Sequence, residues 1–318
     1  MYHMTGRFTL ELSKLRYFHW DSCCVCHYQF IQNDACNSGY SADGTPLYVC
    51  DKCATHLVEL AERNNYTPRA YLIPKDETIL WRYMDFSKFL SLLDNRSLYF
   101  ARADHLGDPF EGARGRLVDK PIWDDHLYNF FKSATLNPPP GHTCTLTPEQ
   151  IEAQCQRLLI EFNEGCAGAR KSHFVSCWHE NDIESEAMWK LYSTHQENAL
   201  AVKTTKINLY KSLGENLDIK IGKMNYIDFS KEFPKNNGVF WTKRISFEHE
   251  REVRAMITNS NSQEIGIQIP CNVTELINEV YISPTAPPWF AAMVQSVSTK
   301  MGYNLRFNHS SLAETPLY

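Results

Sequence analysis

The stretch Thr78-Ile-Leu-Trp-Arg-Tyr-Met-Asp-Phe-Ser-Lys-Phe-Leu-Ser-Leu-Leu-Asp-Asn-Arg-Ser-Leu-Tyr-Phe-Ala-Arg102 changes its hydrophobic pattern twice. Thr78–Tyr83 is rich in β-branched and aromatic residues and reads as a strand. Asp85 is placed to N-cap a helix over Phe86–Leu93, in which Phe86, Phe89, Leu90 and Leu93 fall on one face. Ser97–Arg102 returns to a strand, and the acidic turn Asp104-His-Leu-Gly-Asp-Pro-Phe-Glu-Gly112 follows it. Strand, helix, strand within one short span already points to a mixed architecture.

Downstream, Thr147-Pro-Glu-Gln150 is a capping box with proline at the first helical position, opening a helix toward Gly165. Short strands then dominate: Ser172–Trp178, Ala199–Lys203, Glu252–Ile257, Glu264–Ile269 and Glu279–Ser283. A helix around Trp289–Lys300 and a strand around Tyr303–Phe307 finish the chain. Strands and helices follow one another without a regular βαβ rhythm, so the expected class is α+β. Asn137-Pro-Pro-Pro-Gly141 reads as a loop inside this domain, and no repeat or low-complexity tract interrupts it.

The segment before Lys75 has a different character. Six of the 11 cysteines fall between Cys23 and Cys53. Two Cys-x-x-Cys pairs, Cys23–Cys26 and Cys50–Cys53, are separated by 23 residues, which suits a tetrahedral zinc site. Ser41–Thr45 reads as a turn, Pro46–Cys50 as a strand and Ala54–Glu62 as a helix. A knuckle, a hairpin and a second pair opening a helix resemble a treble-clef finger. Cys24, Cys36, His27 and His56 are alternative ligands, and the expected role of Zn2+ is structural, holding together a segment too small to fold alone. Punctuation at Asn64–Pro68 and Ile73–Asp76 sets the expected domains at 1–75, a zinc-binding module, and 76–318, the α+β domain.

Composition narrows the function. Over 318 residues, 43% are hydrophobic and 22% charged, an ordinary globular balance. No apolar run approaches the ~18 residues of a membrane span and no signal-peptide pattern opens the chain, so a cytoplasmic protein without a membrane partner is expected. The odd cysteine count without a secretory signal argues against a disulfide framework. A net charge of −5 argues against a globally basic nucleic-acid coat protein. Walker A, strand-linked G-x-G-x-x-G, G-x-S-x-G and H-E-x-x-H motifs are all missing, which removes P-loop kinases, ordinary dehydrogenases, α/β-hydrolases and zincins.

Three constellations remain. In Phe247-Glu-His-Glu-Arg-Glu-Val-Arg254, a strand would project Glu248, Glu250, Glu252 and Arg254 from one face, where stacked carboxylates need a cation or substrate among them. A solvated edge strand with Arg251 and Arg254 as counter-charges is the plainer reading. In Phe174–Asp182, polar residues Ser176, His179, Glu180, Asn181 and Asp182 accumulate after a strand, while Met188, Trp189 and Tyr192 share a helical face that packing alone explains. Asp104, Asp108 and Glu111 form an acidic turn that fits no metal-ligand spacing.

The Leu80–Leu90 and Leu98–Glu111 blocks, Phe174–Glu180 with Met188–Tyr192, and Phe247–Arg254 together resemble a bacterial and prophage family catalogued as domain of unknown function number 2971. That resemblance covers most of residues 78–312 and implies no activity. More distantly, a strand bearing arginine followed much later by Glu-x-Glu-Val resembles ADP-ribosyltransferases, including toxins that modify nucleic acids. This resemblance implies a mixed-sheet ADP-ribosyltransferase-like domain that consumes NAD. It assigns NAD binding to Arg82, with Ser176 on the central strand, and catalysis to Glu252 with Glu250 upstream. The second serine of the family's Ser-Thr-Ser strand is absent here. Tyr83 adjoins Arg82, and Trp189 or Tyr192 would stack on nicotinamide or a target base. The implied role is a toxin or phage-defence effector with a nucleic-acid acceptor, single-stranded RNA before DNA, or a protein acceptor, and with an antitoxin or other neutralising partner. Two other readings compete: a metal-dependent nuclease using Asp104, Asp108, Glu111 and the Glu248–Glu252 row, and a non-catalytic zinc-stabilised binding or sensor protein.

Overall fold

The computed structural model describes residues 3–9, 22–40, 46–54, 71–137, 143–193, 196–234 and 238–318. The chain divides into two compact units, 1–72 and 73–318.

In the first unit, β1 (His3–Thr9), β2 (Ala35–Tyr40) and β3 (Pro46–Cys50) form an antiparallel sheet in chain order. Cys23, Phe30, Cys36, Val49 and Ala54 make its small core. Residues 51–54 begin a helix directly after β3. The rest of the helix expected over Ala54–Glu62, with His56, lies outside the described residues, as does the turn at 41–45.

The second unit is built on β4 (Ile79–Asp85), β5 (Ser97–Arg102), β6 (His173–Glu180), β7 (Ala199–Thr205), β8 (Lys220–Lys223), β9 (Asn225–Ile227), β10 (Thr242–Arg244), β11 (Glu252–Thr258), β12 (Gly266–Pro270), β13 (Glu279–Ile282) and β14 (Phe307–His309). One mixed sheet runs β12-β5-β6-β4-β7-β13-β14, with β11 and then β8 attached to β6; β9 and β10 pair separately. All its pairings are antiparallel except β13 with β14. The main core lies on one face, where Leu80, Met84, Phe174, Trp178, Leu200 and Val202 meet the helices Phe86–Asn95 and Pro288–Lys300. On the other face Trp81, Tyr83, Ala199 and Ala201 pack against Met188 and Trp189 of the helix Glu186–Tyr192. Alternation along each strand separates these two sets.

Several expectations need correction. Asp85 occupies the N-cap position with extended backbone but makes no side-chain cap; its carboxylate lies 4.0 Å from Lys88. The Glu248–Arg254 row is not one strand. Ile245–Glu250 is a 3-10 helix, Arg251 turns the chain at φ 40°, and β11 starts only at Glu252. The last strand is Phe307–His309 rather than Tyr303–Phe307, since the register with β13 sets Phe307 opposite Val280 and His309 opposite Ile282. Lys120–Leu136 forms a further helix, with Pro121 in its first turn. The capping box at Thr147 forms in both directions, Gln150 N donating to the threonine hydroxyl and Thr147 N to the glutamine side chain. Residues 138–142, most of the expected proline loop, lie outside the described residues.

Candidate functional site

β6 has three neighbours, and this creates a cleft. β11 covers one edge of β6 from His173 to His179. The opposite edge is shared: β5 pairs at Phe174 and Val175, β4 at His179 and Glu180. Between them, Ser176, Cys177 and Trp178 have no strand partner on that edge. The strands fork, and the fork holds a cleft of about 490 Å³ whose walls include Arg82, Tyr83, Tyr99, Trp178, His179, Tyr192, Glu250 and Glu252.

Arg82 and Ser176 lie on the sheet face that carries the main core. The guanidinium donates to Ser176 Oγ at 2.7 Å and to the Tyr99 carbonyl at 3.2 Å, and sits 5.6 Å from the Trp178 ring centroid. Two residues that the resemblance singles out for separate roles, Arg82 and Ser176, are thus joined by a direct hydrogen bond. Trp178 Nε1 is buried without a partner.

Glu252 projects from the opposite face, directly across from His179 in the β11–β6 ladder. It is buried within an alternating chain of charge. Arg254 Nε donates to Glu252 at 2.7 Å, and the rest of the guanidinium grips Glu111 through two bonds of 2.9 Å. Lys243 Nζ reaches Glu252 at 3.2 Å and also binds Glu250. The left-handed backbone at Arg251 turns the chain so that carboxylates two residues apart share one ammonium. Burial pushes the Glu252 carboxyl pKa up, but Arg254 and then Lys243 reverse this, and it falls to about 2. Glu252 is therefore an anion held in place. Tyr192, at the rim, has its hydroxyl pKa pushed up by burial and then by the charge of Glu250.

Of the residues expected at the site, Arg82, Tyr83, Tyr192, Glu250 and Glu252 line this cleft, and Ser176 supports it through Arg82. Trp189 does not. It is 1% exposed, packs edge-on against Tyr83 and donates its indole N–H to Glu184 at 2.9 Å, so it is a core residue and offers no face to a ligand. The acidic turn is also corrected. Asp104 pairs with Arg102, Asp108 with Arg244 and Glu111 with Arg254, so these carboxylates are spent on separate arginines instead of converging on an ion. Lys243, which binds both site glutamates, was missed. No local motif marks it, because its partners lie seven and nine residues on across a turn.

The second constellation is the cysteine cluster. The sulfurs of Cys23, Cys26, Cys50 and Cys53 all lie within 4.8 Å of one another, with Cys26 and Cys50 at 3.8 Å. Tetrahedral zinc with bonds of about 2.3 Å separates its sulfurs by about 3.8 Å, so the group fits. A tight turn aims the first pair: Cys23 N donates to the Tyr28 carbonyl and His27 N to the Cys23 carbonyl. Burial raises the Cys23 thiol pKa, but the amides of Cys26, Cys50 and Val25 outweigh it and bring it to about 7. Four thiolates in that space repel unless a divalent cation lies among them. Cys24 is exposed and Cys36 is buried opposite Cys50; neither joins the cluster, nor does His27. Among the described residues no other group of His, Cys, Asp or Glu is arranged to hold a metal ion.

No protein-family model matches the chain, so the resemblance to the domain-of-unknown-function family is not shown, and no curated protein matches it significantly. Three solved structures of DarT from Thermus sp. 2.9 are similar at 9% identity. The complex with ADP-ribosylated ssDNA covers 77% of this chain and 100% of its own, with a TM-score of 0.35. The carba-NAD+ complex covers 74% and 97% at 0.35, and the NAD+ complex 76% and 99% at 0.34. Overlap at that level does not establish a shared fold. Among the described residues no helix is long and apolar enough to cross a membrane.

Proposed function

We propose that the chain is an NAD-dependent ADP-ribosyltransferase whose substrate occupies the fork between β4 and β6. The observation that carries this reading is the placement of Arg82 and Glu252 on the walls of one cleft although they project from opposite faces of the sheet. An extended dianionic substrate with a cleavable glycosidic bond matches a cation at one end and a fixed carboxylate at the other. Arg82 binds the pyrophosphate, with its planar fork already oriented by Ser176 and Tyr99. Glu252 sits at the ribose. As the C1′–nitrogen bond breaks, nicotinamide departs with the bonding pair and positive charge grows on the ribose, which the carboxylate stabilises without reorganising. An acceptor heteroatom then bonds to C1′, and Glu250 is the group positioned to take its proton. We place nucleic acid, single-stranded RNA before DNA, as the acceptor and protein second, and assign the zinc-binding module a structural role.

The test is incubation of the full chain with labelled NAD and single-stranded RNA, single-stranded DNA or cell lysate. Release of nicotinamide and transfer of label, both lost in Glu252→Gln, is the expected result. No release under any condition, or equal activity in Glu252→Gln, overturns the assignment. Mg2+-dependent degradation of nucleic acid without NAD would return the nuclease reading, and partner capture without either activity the binding-protein reading.

A further inference from the structure

His179 is 6% exposed and lines the cleft beside Glu252. Its two ring nitrogens are in unlike states. Nδ1 lies 2.6 Å from the Glu250 carbonyl oxygen. A carbonyl only accepts, so Nδ1 carries a proton and donates, which in the neutral ring leaves Nε2 as a bare acceptor. Nε2 is buried and has no hydrogen-bond partner. Buried acceptors without partners are rare in folded proteins and call for one. Burial also pushes the ring pKa down; the Glu250 carbonyl pulls it back, Arg251 lowers it again, and the net direction is below the ordinary value. The imidazole is thus kept neutral, with its tautomer set by the backbone.

We infer that Nε2 of His179 accepts a hydrogen bond from an N–H of the ligand, and that in a nicotinamide dinucleotide this donor is the carboxamide. This rests on the NAD reading above. His179 and Glu252 are directly opposed on one face. If Glu252 occupies the ribose side of the scissile bond, the group beyond that bond is the nicotinamide ring. Its carboxamide is the N–H donor at that end of the molecule, since the ribose hydroxyls are directed at Glu252. The surroundings suit a flat ring: Tyr83 lies 6.3 Å from the imidazole, and Tyr192 lines the same cleft. His179, inside β6 and not in a loop after it, is accordingly a ligand-selecting residue that the polar run Ser176–Asp182 hints at and only the tertiary structure defines.

The experiment compares NAD with its acetylpyridine analogue, in which a methyl group replaces the amide nitrogen, and with ADP-ribose, which lacks the ring. Wild type and His179→Asn are both measured; asparagine retains a donor near the position of Nδ1 but has nothing at Nε2. Wild type is expected to bind NAD about tenfold more tightly than the analogue. His179→Asn should bind the two equally, with its ADP-ribose affinity unchanged from wild type. Equal binding of NAD and analogue by wild type, or undiminished discrimination by His179→Asn, overturns the inference. Failure of wild type to bind any of the three instead removes the NAD reading. The acceptor state of His179 is then judged separately by 15N NMR of the ligand-free full chain: an unprotonated Nε2 at neutral pH sustains it, and a protonated Nε2 refutes it.

Discussion

Glu252 and His179 stand opposite one another across β11 and β6, and each is held by hydrogen bonds outside the ladder between the two strands. Lys243 and Arg254 hold the carboxylate, and the Glu250 carbonyl holds the imidazole. The cleft is bordered by a carboxylate kept ionised and a histidine kept neutral, an arrangement that costs stability wherever a partner is removed.

Lys243 is the first such partner. Lys243→Met leaves two buried glutamates without their shared cation, and breaking a buried pair from one side costs about 3–5 kcal/mol. Urea unfolding should show this loss, with Lys243→Arg recovering part of it.

Arg254 and Glu111 are 0% and 1% exposed and joined by two bonds of 2.9 Å. Arg254→Met and Glu111→Gln should each be strongly destabilising, and the double variant less so than the sum. A double-mutant cycle should give a coupling of about 0.5–3 kcal/mol. Strict additivity would mean that the pair does not act as a unit.

Glu252 sets an acid limit. Its folded-state pKa, about 2, lies below the ordinary 4.5, so its contribution is complete above pH 4.5 and disappears as pH falls toward 2. Acid unfolding of wild type should steepen over that window. Glu252→Gln should have lower stability at neutral pH and a flatter profile below 4.5.

Arg82 tests the substrate end of the cleft. Loss of a charge-assisted contact of about 1.5–3 kcal/mol predicts roughly 10- to 150-fold weaker NAD binding in Arg82→Ala. Arg82→Lys keeps the charge but loses the planar fork and should fall between. Calorimetric titration measures both.

Zinc content tests the cysteine cluster. Freshly purified protein should contain close to one Zn2+ per chain, and Cys50→Ser or a strong chelator should remove it and unfold the first unit. Metal-free protein with freely titratable cysteines would refute the site.

How much of this was legible varies residue by residue. The strand–helix–strand at Ile79–Arg102 could be read because its hydrophobic period is local, and the capping box at Thr147 because its partners are three residues apart. The two cysteine pairs could be matched to a tetrahedral ligand pattern by spacing alone, and the structure brings their sulfurs together. The row Glu248–Arg254 misled, because alternation cannot reveal a backbone reversal at Arg251. Trp189 misled because an amphipathic face does not say whether it meets core or ligand.

The sequence by itself determined the α+β class and the spacing of the two cysteine pairs, since each rests on local periodicity or short spacing, whereas Arg82, Ser176 and Glu252 stand out only through a family resemblance. Tertiary structure decided the rest. Only the pairing of β6 with three strands opens the fork, and only the fork lets residues from opposite sheet faces share a cleft. Lys243, Arg254 and Glu111 enter the charge chain through contacts that span up to 143 residues of sequence, which no local pattern encodes. Arg254 and Lys243 hold Glu252 charged against its burial, burial keeps His179 neutral, and both effects exist only in the folded chain.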